Sequence, residues 1–285
     1  MADILMSLFL GLAFLVMPLG AESLPGVRDL RVTDASGQVT VKTAENPKQA
    51  AVVDEETPLA EEDLLVTGPK SGAEITMDGE SVFKLQPGSS LRIKSLSRQN
   101  TLFEMTQGTM LAKVKPATGP DQGLYIKMPT AVVAIRGTEF AVESGVGISQ
   151  VGVFDEGHVA VGGLWGHAAL KLSPHQETKV TRSNVPEPPH ELTYFRPLKT
   201  QMPRLRNRAV FWRAHWRPIS NAGKQGLRRR LADPHRSKSP GFYRLPAAHR
   251  PIRRTLQRHH SHAKSSTSRR SRLKRHKPVN QNQNN

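Results

Sequence analysis

The sequence predicts an all-β domain of short antiparallel strands, built as a β-roll, a β-helix-like stack or a sandwich and followed by a basic, mostly disordered tail. Three observations predict it. Between residues 30 and 182, short runs of alternating apolar and polar residues are separated by turn residues roughly every ten positions, the spacing of strands. No part of that region carries a 3.6-residue apolar period, which argues against a βαβ arrangement. Charge is also divided: residues 1–189 hold 16 Lys+Arg and 22 Asp+Glu, net −6, whereas residues 190–285 hold 25 and 2, net +23. The overall +17 therefore describes neither part.

The absence of cysteine excludes disulfide scaffolds, Cys-ligated zinc, iron–sulfur clusters, thiol enzymes and lipoproteins anchored through an N-terminal Cys. Residues 4–21 are uncharged, and this apolar run ends at Pro18 and the small-residue stretch Gly20-Ala21-Glu22-Ser23. That is the layout of a secretory signal cut between about Ala21 and Ser23, although Asp3, rather than Lys or Arg, is the only charge before the run. The domain plan is a signal peptide at 1–23, a β domain at 24–185, and a Pro-containing linker with a basic tail at 186–285. A periplasmic or secreted location follows. If the run is retained as an anchor, the same domain faces the periplasm from the inner membrane.

Within the body, Ala73-Glu74-Ile75-Thr76-Met77 alternates, Asp78-Gly79 supplies the positive φ angles of a tight hairpin, and Ser81-Val82-Phe83-Lys84-Leu85 returns. After Gln86-Pro87-Gly88-Ser89, Leu91 and Ile93 face one side, with Arg92 and Lys94 on the other. Met110, Ala112 and Val114 follow the expected turn at Gln107-Gly108, and then come Leu124, Ile126 and Met128. Later strands are read at 148–153, 158–161 and 168–172, separated by Glu156-Gly157 and Gly162-Gly163. Residues 129–142 lack alternation and are read as a strand covered on both faces, with Gly137 marking a bulge or close backbone approach. Arg136 and Glu139 interrupt that run. They are candidates for a recognition pair or for a partly buried ion pair that fixes register.

Several of these motifs together resemble the periplasmic domain of ferric-citrate-regulator (FecR) proteins. They are Gly37-Gln38-Val39-Thr40-Val41, Leu64-Leu65-Val66-Thr67-Gly68-Pro69-Lys70-Ser71-Gly72-Ala73-Glu74-Ile75, Asp78-Gly79, and Leu85-Gln86-Pro87-Gly88-Ser89-Ser90-Leu91-Arg92-Ile93. Gln107-Gly108-Thr109-Met110, and Thr130 with Ile135-Arg136-Gly137-Thr138-Glu139-Phe140, complete the set. The resemblance covers about half the chain. It implies a FecR-like β fold and an extracytoplasmic binding role, since studied members bind the signalling domain of an outer-membrane transporter and relay iron status to a cytoplasmic anti-sigma segment. Only Met1, Ala2 and Asp3 precede the apolar run, so the expectation is that the cytoplasmic anti-sigma region is lacking.

Beyond Pro189 the clusters Arg228-Arg229-Arg230, Arg253-Arg254, Arg269-Arg270 and Arg272-Leu273-Lys274-Arg275 leave too little apolar material for a core. One island, residues 204–217, differs. Leu205, Ala209, Trp212 and Trp216 make one helical stripe, with Arg206, Arg213 and Arg217 on one side and Arg204 and Arg208 on the other. Such a helix suits either an anionic membrane surface or the protein's own acidic body. No catalytic motif, cofactor loop or metal-ligand spacing stands out, and His259-His260-Ser261-His262, in a tail expected to be flexible, is read as able to take up a divalent ion only adventitiously, not as a physiological metal site. The expected function is non-catalytic, without cofactor or small-molecule substrate. The chain is read as an envelope interaction module in signalling or surface assembly, its partner an envelope protein or anionic envelope polymer, with membrane contact through the tail. The alternative is an intracellular nucleic-acid-binding protein that uses the basic tail.

Overall fold

The protein is described by a computed structural model over residues 26–119, 122–165 and 169–231. The apolar N-terminal run, the arginine clusters beyond residue 231, and His259-His260-Ser261-His262 lie outside the described residues. Alternating side chains give each strand one apolar face, and two leaves of strands bury those faces against each other.

The first leaf is ordered β4 (Pro58–Leu59), β1 (Leu30–Ser36), β6 (Gly72–Met77), β7 (Ser81–Leu85), the second half of β9 (Asn100–Lys113), β12 (Glu139–Gly145), β13 (Ile148–Val153), β16 (Gln176–Thr181) and β17 (His190–Glu191). The second is ordered β3 (Ala51–Val52), β2 (Val39–Lys42), β5 (Leu64–Thr67), β8 (Ser90–Leu96), the first half of β9, β10 (Gly123–Lys127), β11 (Ala131–Ile135), β14 (Val159–Gly163) and β15 (Leu170–Leu172). Pairing is antiparallel throughout these leaves except for the parallel β9–β10 contact. Between the leaves lie Ile75, Phe83, Met110, Phe140 and Val151 from one, and Leu65, Ile93, Phe103, Ile126 and Val133 from the other. Phe83 and Phe103 meet edge to face across the core at 5.4 Å.

The Asp78-Gly79 hairpin is present, with φ of 53° and 72°. Three local expectations are corrected. Gln107-Gly108 is not a turn before a strand but the bend inside β9, where the strand passes from one leaf to the other. Gly108 has φ 91°, and a Cβ there would stand 2.5 Å from Ser89 Cα. Gly162 and Gly163 close β14 rather than a loop, paired with Val132 and Ala131. Residues 129–142 form two strands in different leaves. β11 keeps its alternation, half-exposed at Val132 and Ala134, while the start of β12 is buried on both faces.

That second covering comes from the C-terminal segment, and ordered structure continues past the expected boundary at 185. A 3-10 turn at Arg196–Gln201 leads into α1 (Met202–His215) and then α2 (Asn221–Leu231). Pro203 sits in the first turn of α1, where a missing N–H costs nothing, and Pro218 lies beyond its end. Leu192, Phe195, Met202, Leu205 and Ala209 pack on Val82, Leu111, Ala141 and Phe154, a second apolar cluster on the outer face of the first leaf. Glu177 fastens the entry to this strap: its carboxylate accepts from the Tyr194 N–H at 2.9 Å and the Phe195 N–H at 3.2 Å.

Candidate functional site

The strap is held by charge as well as by apolar contact. Outward-facing acids of the first leaf lie beneath it, and its arginines reach down to them. Arg206 grips Glu139 with two hydrogen bonds, Nε to Oε1 at 2.6 Å and Nη2 to Oε2 at 2.5 Å, and also reaches Asp155 at 2.8 Å. Lys113 stands 3.3 Å from the same Glu139, and Lys199 2.5 Å from Asp155. Arg208 donates to Glu74 and to the Thr33 carbonyl, both at 2.9 Å, and Arg204 bridges Asp34 and Glu74. Farther along, Lys224 meets Asp29, and Arg228 takes Asp63 and Glu45. Glu139 and Asp63 are fully buried, so each needs its cation: a buried carboxylate without one would carry a desolvation cost of several kcal/mol. Burial acts to raise the Glu139 carboxyl, but the Arg206 hydrogen bonds and the Lys113 charge outweigh it and hold its pKa below the ordinary value.

The residues singled out from sequence thus separate. Glu139 and Arg206 come together, whereas the expected Arg136–Glu139 pair is replaced: Glu139 turns under the strap and Arg136 is exposed on the opposite side of the Gly137 break. Trp212 and Trp216 face the protein, half-buried. The Arg31 guanidinium lies 4.1 Å from the Trp216 ring centroid, and Arg208 lies 5.3 Å from that of Trp212. Arg31 also donates to the Arg217 carbonyl at 2.8 Å. Arg213 and Arg217 are exposed and make no ion pair among the described residues. The sequence reading missed Glu74, Asp63, Asp155 and Arg228. Their signal was the charge division itself, with acids of the body, Glu74 on a strand and Asp63 and Asp155 between strands, facing a basic segment.

A second feature lies on the outer face of the other leaf, which no helix covers among the described residues. A cleft of about 490 Å³ runs over β10, β11, β14 and β15, lined by Tyr125, Ala134, Arg136, His158, Ala160 and Lys171 among others. Gly137, with φ 97°, sits between it and a smaller polar cavity of about 130 Å³ bordered by Arg28, Arg98, Lys115 and Arg136. A Cβ on Gly137 would overlap the Pro116 backbone, the close approach expected from sequence.

The strands around these features, from β5 through most of β14, coincide with the match to the family model described as FecR protein, residues 63–160. They are a FecR domain. Among solved structures, two crystal structures of a "putative anti-sigma factor" from Parabacteroides distasonis ATCC 8503, at 1.65 and 2.50 Å resolution, are similar to the chain. Each shares 17% identity with a TM-score of 0.41, covering 47% of this chain and 62% of the other. The chain therefore spans less than two thirds of the length of those structures. No curated protein matches it. The FecR match ends before β15, so the strap, α1 and α2 lie outside the matched residues. Among the described residues, no helix is long and apolar enough to cross a membrane, and no group of three or more His, Asp or Glu could hold a metal ion.

Proposed function

We propose that this chain is a non-catalytic, exported FecR-domain interaction module, acting in envelope signalling or surface assembly. Its polybasic C-terminus tethers it to anionic envelope polymers or to the membrane surface. The observation that carries this reading is the use made of the basic region. Between residues 190 and 231 most cations point inward to acids of the β body. Residues 232–285 carry 14 further Lys+Arg and one acid, Asp233, after the buried acids beneath the strap already have partners. A cation excess of that size has external anions as its natural counterpart. The apolar run at 4–21 supports export, and the FecR domain supports a binding role outside the cytoplasm.

The test compares the full chain with a chain ending at Leu231, titrated with phosphatidylglycerol vesicles, phosphatidylcholine vesicles and duplex DNA over a salt series. Binding to anionic vesicles should fall steeply from about 50 to 200 mM salt and be lost on truncation. Equal binding by the truncated chain would refute the tether. Strong preference for one DNA sequence at high salt would favour the intracellular nucleic-acid reading, because phosphate contacts alone carry no sequence information.

A further inference from the structure

The exposed cleft on the second leaf has features of a built site. Pairing registers place Tyr125 opposite Ala134, Ala134 opposite Ala160, and Ala160 opposite Lys171, a row crossing four strands. Three interstrand steps make that row roughly 14 Å long. Its middle is floored by two alanines, so the surface dips between the larger side chains at its ends. Tyr125 lies down at one end. A Cβ at Gly123, two residues earlier on the same strand, would come within 2.6 Å of Tyr125 Cε2 and 3.0 Å of its Cζ and hydroxyl. The ring therefore rests on bare glycine backbone and forms a platform beside the alanine floor. At the other end stands Lys171, with His158 and Arg136 along the side. Lys171 and His158 are exposed and make no ion pair among the described residues.

The charge of the lining decides the ligand class. Residues 1–189 carry net −6, yet none of the residues lining this cleft is acidic. We propose that the cleft binds an acidic saccharide. A sugar ring has an apolar C–H face that fits the Tyr125 platform and the alanine floor, while its carboxylate meets Lys171 and His158 and its hydroxyls find the Tyr125 phenol and Arg136. The volume is in the range of small-ligand sites, and the groove is open to solvent, as a unit within a longer polymer requires. The site is on the leaf opposite the strap and does not depend on the tail being a tether.

The full chain is titrated calorimetrically with digalacturonic acid, with a neutral disaccharide, and with benzoate as a non-sugar ring carboxylate, at 150 mM salt. The parent should bind the acidic disaccharide at least tenfold more tightly than either comparison ligand. Tyr125→Ala and Lys171→Glu should each weaken it at least tenfold, and Lys171→Glu should do so with an unchanged melting temperature, since that side chain is exposed. A chain ending at Leu231 should bind as the parent does, which separates this site from the tail. Absence of binding at millimolar ligand, binding that Tyr125→Ala leaves intact, or binding lost on truncation would each overturn the proposal. Benzoate binding equal to that of the saccharide would overturn its ligand class.

Discussion

Replacing Arg206 by alanine removes the main counter-charge of a carboxylate with no solvent access. Breaking a buried pair from one side costs about 3–5 kcal/mol, because the remaining charge is stranded. Two features of this site reduce that figure. Lys113 remains 3.3 Å from Glu139, and the Arg206 side chain is 37% exposed, so part of its charge is already screened. A loss of about 2–4 kcal/mol is expected for docking of the strap. Full detachment is not expected, because burying Phe195, Met202 and Leu205 contributes about 1.5–3 kcal/mol each. The loss should appear in hydrogen exchange as faster opening of α1, by roughly 30- to 700-fold at 1.4 kcal/mol per tenfold, with the strands of the core little changed. Adding Glu139→Gln to Arg206→Ala should recover much of the stability by removing the stranded charge. Arg213→Ala, on the same helix but without an ion pair among the described residues, should change exchange by less than about threefold. If α1 in Arg206→Ala exchanges within threefold of the parent, Glu139 does not depend on the strap and the account of this interface is wrong.

Gly137→Val should lower stability by at least about 2 kcal/mol in urea, since φ is 97° and the new Cβ would overlap the Pro116 backbone; an unchanged midpoint would mean that the site is a relaxed turn. Trp212→Phe should change the melting free energy by no more than about 1 kcal/mol: the buried indole N–H has no acceptor among the described residues, so losing it offsets the smaller ring. Acid should loosen the strap. Glu139, Glu177, Asp155 and Glu45 all have pKa values below their ordinary ones when folded, so the unfolded chain takes up protons first. Their stabilisation is complete above the ordinary glutamate value of 4.5 and is lost as pH falls from there through the folded values. Glu55, raised by burial and by Asp34, acts in the opposite direction, but one group stands against four. A melting temperature that holds level from pH 7 to 3 would contradict this.

The fold was legible from sequence wherever the physics was local. The Asp78-Gly79 turn and the alternation on either side of it need no distant partner, and neither does the positive φ that favours glycine at 137, although the Pro116 backbone that crowds it comes from elsewhere in the chain. What distant partners decide was not legible. A β strand turns successive side chains to opposite faces, so Arg136 and Glu139, three apart, cannot share a face unless the strand breaks between them. It does break, at Gly137-Thr138, and the two residues then belong to different leaves, one at an open cleft and the other beneath the strap. The stripe expected on a helix at 204–217 holds for Leu205, Ala209 and Trp212 on α1, whereas Trp216 lies just past its end in extended backbone, and a stripe states only that something covers it. The −6 body and the +23 C-terminal third were opposite charges on one chain, and the shortest route to neutralising buried acids such as Glu139, Glu74 and Asp63 was internal. Desolvation explains why that route is taken. An exposed carboxylate gains little from an arginine, whereas one covered by an apolar helix must have a cation, and α1 brings both the cover and the cation.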